Sequence, residues 1–241
     1  HARCYRHPGD GHPAALWLHG WGMGFHRIEA LVSRARWLYR MGLDVYLCVL
    51  PYHARRRPAG VTFAGRVFPT THMSRTNEGM LQAVWECRSL MAWHRQRGGG
   101  ACGAIGLSLG GYIAAVLASV AAETAFAACL LPVADIPTLM WSNGEGTPDR
   151  QAAQEAGVTF EMFCRSMAVH APLAHRLAIP AERVLLVGAR GDRIIPPVHT
   201  EALWEHWGRP RLLWIPGSHL VHFGRGAYLE QVGAFLGSSA G

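Results

Sequence analysis

Apolar residues gather in this chain into short unbroken runs, separated by stretches in which they recur at helical spacing. Runs of strand length occupy residues 14–18, 43–50, 101–105, 125–133, 183–187 and 211–215. The run at 43–50 is broken only by Asp44 and reads as a central strand of a parallel sheet, covered on both faces. Residues 2–7 add a short strand ahead of the turn Pro8-Gly9-Asp10-Gly11. Helical periods fill the intervals. Residues 26–41 put Ile28, Leu31, Val32, Ala35 and Leu38 on one side and Arg34, Arg36 and Arg40 on the others. Residues 74–94 follow with Ser74 as N-cap and Met80, Leu81, Val84, Leu90 and Met91 as the apolar side. Residues 112–122 are Ala-rich without Pro or Gly, and 197–207 and 226–236 supply the last two helices. This alternation predicts one α/β domain over residues 1–241, built on a mostly parallel, doubly wound sheet flanked by helices.

Two segments break the rhythm. Residues 53–73 show little helical period and are long for a connection, which marks them as a functional loop. Residues 134–180 carry Ile136, Leu139, Met140 and Trp141, a polar turn at 142–149, and a helical stretch at 151–167.

Composition narrows the partners. An apolar fraction of 50% with 16% charged residues describes a compact chain rather than a disordered one. No apolar run approaches the roughly 20 residues of a membrane helix. The formal charge of +7 comes entirely from arginine, since the 23 basic residues include no lysine. Only Arg55-Arg56-Arg57 form a run, and no zinc-finger, RNA-binding or basic-helix signature accompanies them, so nucleic acid is not an expected partner. The six cysteines form no C-x-x-C pair. Cys48, Cys102 and Cys129 fall inside apolar runs as small buried hydrophobes, which favours a reducing, cytoplasmic setting. The 14 histidines show no metal-binding spacing. Because the first strand begins almost at His1, a segment upstream is to be expected, and a missing leader carries no information.

The candidate chemistry centres on Gly106-Leu107-Ser108-Leu109-Gly110-Gly111, between an apolar strand and the Ala-rich helix. A turn that sharp strains the serine backbone and leaves no room for side chains two residues before and after it. It holds the hydroxyl out at a sheet edge, beside a helix N-terminus. A serine hydroxyl is a weak nucleophile and needs a histidine base, whose tautomer a carboxylate fixes. The strand at 184–187 runs into Gly188-Ala189-Arg190-Gly191-Asp192 ahead of Pro196, which makes Asp192 the candidate acid and leaves Asp135 in reserve. The last strand runs into Pro216-Gly217-Ser218-His219, which makes His219 the candidate base and His222 the alternative. His19 and His53 precede the serine, and chain order argues against them. The loop His19-Gly20-Trp21-Gly22-Met23-Gly24, directly after a buried strand, can bring a backbone N–H to a ligand.

In this order, His-Gly-Trp-Gly, Gly-Leu-Ser-Leu-Gly, Gly-Asp-x-Ile-x-Pro and Pro-Gly-Ser-His resemble the α/β-hydrolase superfamily across essentially the whole chain. The stretch Pro51-Tyr52-His53-Ala54-Arg55-Arg56 is similar to one group of α/β-hydrolases. The first strands look short or missing against a full family core. The resemblance implies Ser108 as nucleophile, Asp192 as acid, His219 as base, and the N–H groups of Leu109 and Trp21 as oxyanion hole. It implies a helical lid inserted at about 135–180, and no metal or organic cofactor. The expected activity is hydrolysis of a small-molecule carboxylic ester through an acyl-enzyme. An amidase or peptidase with the same triad, or a silent hydrolase fold used for binding, are the alternatives. Trp21, Met23, Phe25, Tyr52, His53 and Trp141 are the candidate substrate contacts, and Arg55 to Arg57 the candidates for an acidic head group.

Overall fold

The computed structural model describes residues 1–221 and 230–238 in full and residues 225–229 and 239 by their backbone. Seven strands form one sheet: β1 (Ala2–Tyr5), β2 (Ala14–Leu18), β3 (Asp44–Cys48), β4 (Cys102–Leu107), β5 (Ala127–Leu130), β6 (Val184–Ala189) and β7 (Arg211–Ile215). Their order is β1-β3-β2-β4-β5-β6-β7. Only β1 runs antiparallel, against β3; every other pair is parallel. The doubly wound sheet read from the apolar runs is therefore the observed architecture, with one antiparallel strand at its edge. Asp44 interrupts the apolar run of β3 because it ties down the segment after β1, accepting from Arg6 Nε at 3.2 Å and from the His7 backbone N–H at 2.7 Å.

Both sheet faces are covered. Leu16, Tyr46, Ala104 and Leu186 point into one core with Phe68, Met80, Met91 and Tyr112. Their neighbours Trp17, Leu47, Ile105 and Val187 point into the other with Phe126 and Phe235. Strict alternation of faces along strands buried on both sides explains why the strands read as continuous apolar runs. The first face carries α3 (Met73–Gln96), α4 (Leu109–Val120) and α8 (Pro197–His206); the second carries α1 (His26–Val32), α2 (Ala35–Arg40) and α9 (Arg225–Ser239).

Three helices differ from their sequence expectation. The single helix expected over 26–41 breaks at Ser33 and Arg34, where Arg34 takes φ 52°. Ala35 and Leu38 are buried as expected, but Leu31 is 80% exposed, and the residue that α1 buries is Glu29. The helix expected from Ser74 starts one residue earlier, capped by the His72 ring rather than by Ser74. The helical stretch at 151–167 divides into α6 (Pro148–Glu155) and α7 (Phe160–Met167), preceded by α5 (Ile136–Asn143). Gly157 at φ 79° makes the break between α6 and α7. Of these three inserted helices, α7 buries Phe163 and Met167, whereas α6 buries nothing.

Candidate active site

Parallel strands deliver their following loops to one edge of a sheet, and β4, β6 and β7 bring Ser108, Asp192 and His219 together there. Ser108 sits between β4 and α4 at φ 55° and ψ −109°, a conformation rarely open to a side chain. The glycines around it are obligatory on steric grounds. A methyl on Gly106 would lie 2.0 Å from the Gly110 carbonyl oxygen, and one on Gly110 would lie 2.0 Å from the Leu18 carbonyl oxygen.

The acid and base loops are stitched to each other by backbone. Arg190 N–H donates to the Ile215 carbonyl at 3.1 Å and Gly191 N–H to the Gly217 carbonyl at 2.9 Å. Asp192 Oδ1 accepts from the N–H groups of Ile194 and Ile195 at 2.9 and 2.8 Å. Its other oxygen stands 2.6 Å from His219 Nδ1, and His219 Nε2 stands 3.0 Å from Ser108 Oγ. With the carboxylate accepting from Nδ1–H, Nε2 carries the lone pair and accepts from the serine hydroxyl. Asp192 is buried and Ser108 and His219 are nearly so, which strengthens every electrostatic contact among them. Asp135 stands apart from this arrangement: its carboxylate caps α5, accepting from Thr138 N–H and Thr138 Oγ1–H. His222 lies outside the described residues.

The loop after β2 runs beside the serine, and a methyl on Gly20 would lie 3.7 Å from Ser108 Cβ. Met23 N–H closes a turn on the Gly20 carbonyl, with Gly22 at φ 77°. Among the described residues neither Trp21 N–H nor Leu109 N–H has a hydrogen-bond partner; the first N–H groups of a helix have none within it. His19 is wholly buried and fixes the loop, its Nδ1–H donating to the Gly20 carbonyl at 2.8 Å and its Nε2 accepting from Leu50 N–H at 3.0 Å. Burial, with His53 beside it, pushes its pKa down to about 3.

The other expected contacts divide. Trp21 is half exposed, its Nε1–H on the Gly65 carbonyl and its ring edge-on to Phe63. Met23 lies against Gly20, and Tyr52 packs on Phe68. His53 is wholly buried against His19 and Phe68, its Nδ1–H on the Pro51 carbonyl and its pKa held down to about 4 by burial. Trp141 packs on Phe160 and Phe163 within the insertion, under the Arg150 guanidinium. Of the arginine run, Arg56 is held by both Glu86 oxygens at 2.7 Å and Arg57 by the Ala54 and Thr62 carbonyls, which leaves Arg55 exposed.

Two polar devices are silent in the sequence. Glu29 is buried on α1, and Tyr112 on α4 bonds His170 of the insertion, which in turn meets Asn77 on α3. The second joins residues far apart in the chain, and the first joins a helix to the loop and strand before it, so neither follows a helical or strand period. Among the described residues, no group of three His, Cys, Asp or Glu side chains is placed to hold a metal ion, and no helix is long and apolar enough to cross a membrane.

The sequence profile of the family "alpha/beta hydrolase domain containing 18" matches residues 35–165, more than half of the chain. The uncharacterized proteins Rv2627c and MT2702 of Mycobacterium tuberculosis are each 33% identical over 233 residues, covering 92% of this chain but 53% of theirs. The chain thus spans about half the length of these relatives. Similar solved structures include Est1E of Butyrivibrio proteoclasticus with ferulic acid bound (TM-score 0.66, 15% identity, 99% of this chain and 95% of that one). Acetyl xylan esterase 1 of Thermoanaerobacterium sp. JW/SL YS485 follows (TM-score 0.64, 15% identity, 97% and 78%), with the monoacylglycerol lipase of Paleococcus ferrophilus (TM-score 0.59, 16% identity, 99% and 98%). At these identities the likeness is one of fold, and together with the matched profile it makes the chain a member of the alpha/beta-hydrolase superfamily, in the family of alpha/beta hydrolase domain containing 18.

Proposed function

We propose that this chain hydrolyses carboxylic esters through an acyl-enzyme, with Ser108 as nucleophile, His219 as general base and acid, and Asp192 as the group that orients His219. Membership of the superfamily supports a general hydrolytic function. The observation that carries the finer reading is His219 bridging Asp192 at 2.6 Å and Ser108 at 3.0 Å. In the first step His219 Nε2 takes the proton as Ser108 Oγ attacks the ester carbonyl, and the charge moves onto the carbonyl oxygen. The Leu109 and Trp21 N–H groups, with the N-terminus of α4, are the donors for that oxyanion. Collapse of the tetrahedral species breaks the ester C–O bond, and the imidazolium returns the proton to the leaving alcohol. Water, deprotonated by the same Nε2, then releases the acid and restores the serine.

Trp21 and Met23 border the oxyanion loop and are assigned to the substrate's acyl side, and the insertion at 135–180, whose α7 packs with α3, is assigned as the lid. Ferulic acid, acetyl xylan and monoacylglycerol in the names of the similar structures span very different acids, so the fold selects no acyl length. The test is turnover of a short p-nitrophenyl ester series and labelling by a fluorophosphonate. Wild type is expected to do both and Ser108→Ala neither. Asp192→Asn is expected to lose roughly 10³–10⁴ in kcat, because the amide favours the wrong imidazole tautomer. A folded wild type that neither turns over nor labels would sink the esterase reading and favour a binding role, while cleavage of amides faster than matched esters would favour an amidase.

A further inference from the structure

The turn that carries Trp21 is held at its two ends by different side chains. At its start, His19 grips the Gly20 carbonyl. At its end, Gly24 N–H donates 2.9 Å to Glu29 Oε1, and the other oxygen of Glu29 accepts 2.8 Å from the indole N–H of Trp17, in the middle of the sheet. Gly24 is pressed between the two, since a methyl there would lie 2.7 Å from His19 Nε2. Glu29 is wholly buried, and among the described residues no cation pairs with it.

A buried carboxylate without a counter-charge is an expensive way to satisfy two N–H groups. Burial raises its pKa, against the two hydrogen bonds that lower it. A folded-state carboxyl pKa above the unfolded one subtracts stability at neutral pH, so folding alone gives no reason for an acid at this position. Geometry supplies one. The carboxylate spans from strand β2 to the last residue of the loop and sets the distance between them. The turn between Gly20 and Met23, and with it the direction of Trp21 N–H, hangs between that clamp and His19.

We infer that Glu29 is a positioning residue for the oxyanion hole: through Gly24 and Trp17 it holds the Trp21 N–H beside Ser108. This inference rests on the ester-hydrolase reading for its kinetic arm, and on the loop geometry alone for its structural arm. An oxyanion donor acts through strict alignment with a charge that exists only in the transition state. Releasing the clamp therefore lowers kcat rather than substrate binding. Glu29→Gln keeps the volume and one acceptor but turns an NH2 toward the other N–H donor. Glu29→Ala removes both acceptors.

The experiment measures three quantities on wild type, Glu29→Gln and Glu29→Ala: kcat and KM on a p-nitrophenyl ester, amide hydrogen exchange across the chain, and the denaturant midpoint. The expected result is a kcat loss of roughly 10-fold for Gln and roughly 100-fold for Ala, with KM within about threefold. Exchange at residues 21–24 rises at least about tenfold while the strands keep their protection. A folded variant with wild-type kcat and unchanged exchange at 21–24 would overturn the inference. So would exchange that rises uniformly with the loss of the midpoint, since that marks a purely structural role. Should Glu29→Ala not fold, Glu29→Gln decides. If wild type turns over no ester, the hydrolase reading fails by itself, and local exchange at 21–24 still tests whether Glu29 holds the loop.

Discussion

The two halves of the candidate site are held by opposite means. The half containing Ser108, Asp192 and His219 is fixed by backbone: glycines that admit close contact at Gly106 and Gly110, and main-chain bonds that join the loop of Asp192 to that of His219. The half containing the Trp21 N–H is fixed by side chains, with His19, Glu29 and the Trp21 indole each gripping a carbonyl or N–H of the loop or its neighbours. Backbone contact leaves no adjustable part, so it tolerates no added atom. Side-chain clamps can be loosened by degrees, and they bring titratable groups into the interior.

If that contrast holds, the largest effect belongs to a single methyl on the backbone half. Gly110→Ala puts Cβ 2.0 Å from the Leu18 carbonyl oxygen, where neither the strand nor α4 can yield. A loss of more than about 4 kcal/mol is expected, read as absence of soluble folded protein or collapse of the denaturant midpoint. A near-native midpoint would mean that the elbow is far more pliable than its packing.

The side-chain half should show itself next, through pH. His19, His53 and His170 are buried, and burial holds their pKa values at about 3, 4 and 4, against 6.5 for a free histidine. Between those limits the unfolded chain binds protons that the folded chain refuses. Stability is therefore full above pH 6.5 and is lost as the pH falls toward 4, by up to about 1.4 kcal/mol per pH unit for each histidine. Urea titrations at pH 7, 6 and 5 check it, and midpoints that stay level across that range would refute it.

The smallest effect is a gain. Ser108 sits at φ 55° and ψ −109°, so Ser108→Gly removes strain of order 1–3 kcal/mol while adding some backbone freedom to the unfolded chain. A net rise of about 1 kcal/mol in unfolding free energy is expected, with loss of turnover. A fall in stability would mean that the serine conformation costs nothing.

The same contrast explains what could be read from the residues. Gly106, Gly110 and Gly191 announce their loops because close contact demands glycine beside an apolar strand, and Gly217 because its φ of 118° favours glycine. Glu29 announces nothing. At 26–41 the helical period places Ile28 and Leu31 on the buried side, yet α1 turns its acid inward because Trp17 and Gly24 wait there with N–H groups. His53, read as a substrate contact, lies in the interior because its loop folds back over Phe68 and His19.

The sequence by itself determined the strand and helix alternation, the sheet's parallel character and the short motifs at its edge. These depend on burial periodicity and on steric exclusion within a few residues, both of which are local. Only the tertiary structure decided that β1 runs antiparallel to β3, that α1 and α2 part at Arg34, and that Asp135 caps a helix while Asp192 meets His219. It alone brought Glu29 to Gly24 and Trp17. Those outcomes turn on which polar groups find partners once the apolar faces have closed, and the partners sit on different elements whose approach no helical or strand period encodes.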